Sequence, residues 1–180
     1  FPAIKPTLRG PATSRYLTAS LSLLVVTAGF GVSWLGALEH LWFPVTMGRL
    51  GWHAHLGLVG WLAITVMGVG YQLVPMFNVV QRKRPLGPGP ILAVTAAAAL
   101  AGGLGLMLDP APWVRIVIAI AMAAGPAAWG IEMLRLMRAR SRRTLDVQGH
   151  ATFVSLAFLA ATILLGILAF AFRRLSDHLG

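Results

Sequence analysis

Cysteine is absent from this 180-residue sequence, and charged residues make up only 11% of it. Without cysteine the chain can form no disulfide, no thiolate metal site and no cysteine-ligated iron–sulfur cluster. A soluble domain carries roughly 25% charged residues, whereas 57% of this chain is hydrophobic. The composition therefore predicts an all-α integral membrane protein.

Acidic residues are scarcer than basic ones, with five Asp and Glu against fifteen Lys and Arg and a net charge of +10. In a soluble protein this balance would suggest a nucleic-acid or anionic-lipid partner. Most of the cations lie in the N-terminal lead-in and in two basic runs, residues 82–84 and 138–143. The positive-inside rule assigns these segments to the cytoplasmic side. We therefore predict a cytoplasmic N-terminus and contact with membrane lipid, and we expect no nucleic-acid partner.

Five apolar runs, separated by short polar or proline-rich connections, predict a bundle of about five transmembrane helices in a single membrane domain. At about 1.5 Å per residue, each run can cross a hydrocarbon core of about 30 Å. Trp34 and Trp42 are candidate interfacial aromatics, and Gly125-Pro126 is expected to kink the fourth helix. The predicted spans are residues 16–38, 52–77, 91–108, 113–137 and 149–172.

The sequence begins at Phe1, and no charged segment followed by an apolar run marks an intact signal peptide there. We therefore expect the chain to be processed or to form part of a longer one.

Two histidines, His53 and His55, open the second span, which continues to Phe77 without a charged residue. Histidines within an apolar span are costly to place in lipid, so they usually face the bundle interior and have a function. Residues i and i+2 of a helix point about 200° apart. The two imidazoles therefore address opposite sides of the helix and cannot share one metal ion as an i, i+4 pair does. The alternative is a pair of interfacial histidines that hydrogen-bond to neighbouring helices or to water.

Haem is the cofactor that this arrangement favours, because a neutral imidazole is its usual axial ligand and a membrane interior hides the porphyrin. We predict one or two b-type haems with His53 and His55 as iron ligands. Arg49 and Trp52 are candidate contacts for the haem propionates, and their alternative role is interfacial anchoring. Four glycines in this span admit either a flat ring or a closely packed helix: Gly57, Gly60, Gly68 and Gly70.

The run His53-Ala-His55, followed by Met67-Gly68 and Pro75-Met-Phe77, resembles the tenth helix of subunit I of the haem–copper oxidases. In that family the first histidine ligates a high-spin haem and the second a low-spin haem on the other side of the helix. The resemblance thus implies that His53 faces a high-spin site and His55 a low-spin site. It extends to short, subunit I-like membrane proteins of bacteria, which implies a multi-pass protein of the bacterial inner membrane.

The sequence departs from the oxidase pattern outside this helix. It contains neither a His-His pair nor a His-Pro-x-Val-Tyr run, and in the oxidases these segments build the copper site that reduces oxygen. The resemblance therefore implies haem binding, and it does not imply reduction of oxygen or nitric oxide.

Three further residues are candidates for a role around the haem. His40, just beyond the first span, is predicted at the depth of His53 and His55 and is either a second axial ligand or an interfacial histidine beside Glu39. His150, predicted near the inner face, is either a helix-start residue or the ligand of a separate inner haem. Glu132 either pairs with Arg135 at i+3 or contacts a proton or quinol.

Together these features predict an electron-transfer subunit of a bacterial respiratory complex rather than a stand-alone catalyst. The expected partners are other membrane subunits of that complex, quinol, and a periplasmic cytochrome or dehydrogenase. Two alternatives stay open. One is a haem-free membrane protein for copper transport or assembly, and the other is a fragment of a catalytic oxidase-like or nitric-oxide-reductase-like subunit whose missing motifs lie outside this chain.

Overall fold

The computed structural model describes residues 12–40, 47–80, 87–108, 111–141 and 146–179, and these residues are helical almost throughout. Helix α2, the π-helical segment and helix α3 follow one another without a break and form one continuous helix, called here the central helix. The helices are α1 (Ala12–His40), α2 (Met47–His55), a π-helical segment (Leu56–Ala63), α3 (Ile64–Phe77), α4 (Pro88–Leu108), α5 (Pro112–Arg138) and α6 (Val147–Leu179).

Among the described residues, four helical stretches are long and apolar enough to cross a membrane. They are Ala12–Leu38, Arg49–Phe77, Ile116–Arg138 and Val147–Gly166, and the described apolar part of α4, Pro88–Gly102, is shorter. Each of the five predicted spans lies on a helix. The prediction of an all-α, multi-pass membrane protein is therefore confirmed.

The central helix forms the middle of the bundle. Helix α1 packs along the π-helical segment and α3, helix α2 packs on α4, and α5 lies against both α3 and α4. The most deeply buried side chains include Leu56, Ile64 and Met133. Helix α6 packs mainly on α5 and leaves large apolar side chains such as Phe158 and Leu165 exposed, as a lipid-facing helix does.

Glycines of the central helix allow the neighbouring helices to approach closely. A Cβ on Gly60 would lie 3.3 Å from Leu23 Cδ1, a Cβ on Gly68 would overlap Tyr16, and a Cβ on Gly70 would meet the ring of Trp129. Of the two predicted roles for these glycines, the structure shows close helix packing. At the same level Trp129 donates a hydrogen bond from Nε1 to the carbonyl oxygen of Met67, at 3.0 Å.

The π-helical segment of eight residues begins directly after His55. A π-helix bonds residue i to i+5 and therefore holds more residues per turn than an α-helix. The segment thus changes the rotation of α2, which carries both histidines, relative to α3. Such segments occur frequently at functional sites, and no feature of the sequence predicted this one.

Helix α5 continues through Gly125 and Pro126. The kink expected at this position stays a prediction. Gly125 lies against Thr95 of α4, so that a Cβ at this position would overlap the threonine side chain. The glycine is therefore required by the contact between α4 and α5.

Replacing Gly68 by alanine should destabilise the fold, because the new methyl group would overlap atoms of Tyr16 close to its backbone. We expect a cost of about 1–3 kcal/mol, as for other overpacked cores. Gly29→Ala is the matched control, since a Cβ there would meet nothing within 4 Å. Thermal unfolding in detergent, followed by circular dichroism, should show a lower midpoint for G68A only. Equal midpoints for the two variants would contradict the described packing of α1 on the central helix.

Candidate functional site

His53 and His55 face different neighbouring helices, as their spacing on a helix predicts. On one side, a Cβ on Gly31 of α1 would lie 3.2 Å from Cε1 of His53, and the ring of Trp34 lies 5.1 Å from the His53 ring between centroids. On the other side, a Cβ on Gly102 of α4 would lie 2.9 Å from Nε2 of His55. Helix α2 therefore presents one imidazole to α1 and the other to α4.

Three buried nitrogen atoms in this short segment have no hydrogen-bond partner among the described residues: Nε1 of Trp52, Nδ1 of His53 and Nε2 of His55. Leaving a buried polar group unpaired costs about 1–3 kcal/mol, and the great majority of such groups in folded proteins are paired. Among the described residues, no neighbouring helix supplies a hydrogen bond to these three atoms, and the alternative of a hydrogen bond to water stays a prediction. Because His53 and His55 face different helices, their two nitrogens would need separate partners.

Two aromatic contacts join α1 to α2 on the side of His53. Phe30 of α1 packs against Trp52 with ring centroids 4.1 Å apart, and Trp34 packs against His53. Trp34, a candidate interfacial aromatic, has only 9% of its surface accessible because it turns toward α2. Its position at the membrane interface stays a prediction. Trp42 lies outside the described residues.

The donor atoms fit haem, whereas the room beside them is narrow. An iron ligand must offer an unprotonated imidazole nitrogen in an apolar setting. At His55 the buried, unpartnered nitrogen is Nε2, through which histidine usually binds haem iron, whereas at His53 it is Nδ1, so His53 would have to bind through its other ring nitrogen. Each ring, however, touches the helix in front of it at a glycine, Gly31 or Gly102. A porphyrin in front of either imidazole therefore needs α1 or α4 to stand further from α2 than in this arrangement.

The α4 side contains a second possible metal ligand, which the sequence analysis did not single out. A Cβ on Gly102 would lie 2.8 Å from Sδ of Met122, a residue of α5, as well as 2.9 Å from Nε2 of His55. The thioether sulfur of Met122 and the imidazole of His55 thus both lie close to Gly102. Methionines on helices are usually packing residues, and only the fold shows that this one lies beside a histidine.

The other predicted ligands are placed less closely. His40 is the last residue of α1, and its side chain lies outside the described part of the structure, so its role as a second axial ligand stays a prediction. Arg49 lies on α2 with an interaction partner of its own, so its contact with a propionate also stays a prediction. Among the described residues, no three His, Cys, Asp or Glu side chains converge to hold a metal ion.

His150 lies in the first turn of α6, far from the other two histidines. It is exposed, and its Nδ1 donates a hydrogen bond to the carbonyl oxygen of Asp146 at 2.9 Å. The carboxylate of Asp146 accepts a hydrogen bond from the backbone N–H of Gly149 at 2.9 Å. Both contacts belong to the start of a helix, which agrees with the structural interpretation of His150. The ligand role predicted as its alternative gains no contact here.

Buried polar side chains also occur between α3 and α5. Glu132 is 6% exposed, and Nη1 of Arg135 donates to both of its carboxylate oxygens at 3.2 Å, which confirms the predicted i, i+3 pair. The hydroxyl of Tyr71 is buried without a hydrogen-bond partner among the described residues, and its ring lies 5.3 Å from that of Tyr16. A proton or quinol contact at this cluster stays a prediction.

The chain was compared with protein-family models, with curated proteins and with solved structures, and none of the three comparisons found a match. The resemblance to subunit I of the haem–copper oxidases therefore depends on the residues of the His53–Phe77 run alone.

Proposed function

We propose that this protein is a b-type haem-binding subunit that transfers electrons in a respiratory complex of the bacterial inner membrane. The observation that carries the proposal is the pair of buried, unpartnered imidazole nitrogens on opposite sides of α2, each in front of a glycine of another helix. In this proposal the N-terminus is cytoplasmic and the histidines lie near the outer face. Other subunits, quinol and a periplasmic cytochrome or dehydrogenase would be the exchange partners.

Residues of α1 and α2 would supply several features that a haem site needs from the protein. Bound haem would contribute one-electron redox chemistry, and His53 and His55 would hold its iron from α2. The rings of Phe30, Trp34 and Trp52 form an apolar wall on the α1 side, which excludes water and lowers the local dielectric constant. Nε1 of Trp52, a buried donor without a partner among the described residues, is available for a propionate oxygen.

The glycines facing the histidines explain how the site can admit a flat ring. Neither Gly31 nor Gly102 carries a side chain that a porphyrin would have to displace, so only the distance between helices has to change. Helix α1 packs chiefly on the π-helical segment and α3 and little on α2. The space in front of His53 is therefore closed by fewer contacts than the space in front of His55, where α2 packs along α4.

Purified protein should show a Soret band and a b-type pyridine haemochromogen spectrum. His53→Ala and His55→Ala should each change that spectrum, and in different ways, because the two imidazoles face different helices. His150→Ala, which alters an exposed histidine at the start of α6, should leave it unchanged. A wild-type protein without a Soret band would refute the haem proposal, and identical spectra for H53A and H55A would refute two-sided ligation.

The absence of cysteine allows the proposed orientation to be tested with single introduced cysteines. Ser141→Cys and Ala111→Cys place exposed thiols beyond opposite ends of α5. In intact bacterial cells a membrane-impermeant maleimide should label A111C and should not label S141C until the membrane is opened. The reverse pattern would contradict a cytoplasmic N-terminus.

Deleting Leu58, an exposed residue of the π-helical segment, should restore regular α-helical bonding. A π-helical residue turns the chain by less than the about 100° of an α-helical residue, so the shortened α-helical segment would set α2 at a different rotation relative to α3 and carry both histidines away from Gly31 and Gly102. We expect the haem spectrum to be lost while far-ultraviolet circular dichroism still reports a helical protein. Substitution of the same residue, Leu58→Ala, is the control and should retain the spectrum. Retention of the spectrum after the deletion would show that the π-helical segment does not orient the histidines.

A further inference from the structure

The geometry points to His55 and Met122 as the two protein ligands of one metal centre where α2, α4 and α5 meet, with imidazole–thioether ligation. If the metal is haem iron, this inference rests on the proposed function. If the metal is a bare copper(I) ion, it does not. Met122, rather than His40, would be the second protein ligand beside His55.

The distances bring both ligands to one place. Nε2 of His55 and Sδ of Met122 lie 2.9 Å and 2.8 Å from the point where a Cβ on Gly102 would stand. That point is one bond length from the Gly102 Cα, so a metal cannot occupy it, but the two distances place the nitrogen and the sulfur no more than about 5.7 Å apart. Metal–nitrogen and metal–sulfur bonds measure about 2.0 Å and about 2.3 Å, so the two atoms would have to lie within about 4.3 Å of each other to share a metal. A side chain at position 102 would contact both ligands.

Both ligand atoms are available for coordination. Nε2 of His55 is buried with no hydrogen-bond partner among the described residues, and a thioether sulfur is an acceptor without a proton to lose. A metal could therefore bind these atoms without breaking a hydrogen bond within the described residues and without removing a proton from a thiol. Coordination would satisfy a buried nitrogen that is otherwise left unpaired.

The character of the two ligands limits the metal. Thioether sulfur is soft and selects copper(I), while imidazole suits both copper and iron, and a methionine–histidine pair is also an axial set for haem iron. Both ligands are neutral, and Glu132 stands ten residues further along α5, about 15 Å away along its axis. The two ligands would therefore leave the full charge of a divalent ion uncompensated in an apolar bundle. Copper(I) carries a single charge, and the negative charge of the porphyrin offsets part of the charge on haem iron, so either centre would leave less charge uncompensated.

The packing at Gly102 favours the smaller of these two centres. Nε2 of His55 lies directly against the backbone of α4 at this glycine, and α2 and α4 pack along each other. A bare ion requires smaller movements than haem iron, which requires α4 to move away from α2. The imidazole–thioether chemistry is common to both, and the metal itself is decided by experiment.

Met122→Leu tests the inference, because leucine keeps the size and apolar character of methionine and removes the sulfur. Met76→Leu is the matched control, since Met76 lies on α3 with 55% of its surface exposed. Two measurements are made on the full chain in detergent: copper(I) titration of haem-free protein against a chromophoric chelator, and the spectrum and reduction potential of haem-loaded protein. Equal thermal midpoints for the two variants establish that both are folded.

If the centre is a copper(I) ion, M122L and His55→Ala should each weaken copper(I) binding by more than about tenfold, and M76L should not. If the centre is haem iron, M122L should convert a low-spin spectrum to high-spin and lower the reduction potential, because a methionine ligand raises it. Copper(I) affinity and haem spectrum both unchanged in M122L would overturn the inference, and a Soret band retained in that variant would leave the proposed function standing. A protein that binds copper(I) through His55 and Met122 but lacks a Soret band would refute the proposed function and uphold the inference.

Discussion

A buried imidazole nitrogen without a hydrogen-bond partner costs about 1–3 kcal/mol, and helix α2 carries two of them within three residues. The rest of the bundle is apolar and closely packed, and its polar side chains are mostly accounted for. Thr27 and Thr95 donate to carbonyl oxygens of their own helices, and Tyr16 donates to the carbonyl oxygen of Pro88 at 2.8 Å. Among the described residues the exceptions are Nε1 of Trp52, the hydroxyl of Tyr71 and one nitrogen on each histidine of α2. Metal coordination would remove the cost at a histidine nitrogen.

The α3 half of the central helix is closely packed against its neighbours, whereas the α2 half carries buried nitrogen atoms that have no hydrogen-bond partner among the described residues. In the α3 half, Gly68 and Gly70 bring Tyr16 and Trp129 against the backbone, and Trp129 adds a hydrogen bond between helices. That half is fixed by the contacts of α1 and α5. In the α2 half, the glycines lie instead on the neighbouring helices, at Gly31 and Gly102, and imidazoles contact them. The π-helical segment joins the two halves and sets how one is rotated relative to the other.

Much of this arrangement could be predicted from the sequence, because it depends on composition and on the geometry of a single helix. The apolar runs predicted the helices, the i, i+2 spacing predicted that His53 and His55 face different neighbours, and the i, i+3 spacing predicted the contact of Glu132 with Arg135. Each of these needs only the local chain.

What the sequence could not predict depends on which helix faces which. Gly31, Gly102 and Met122 are ordinary residues of apolar helices, and they become candidate site residues only because α1, α4 and α5 turn them toward α2. The π-helical segment also has no local signal, since Leu56–Ala63 contains the leucine, valine, alanine and glycine expected of any membrane helix.

The central proposal is that the two histidines of α2 bind haem, and haem content measures this most directly. Wild-type protein purified from haem-replete bacteria should contain at least one b-type haem per chain by pyridine haemochromogen. A folded, monodisperse preparation with no haem would contradict the account.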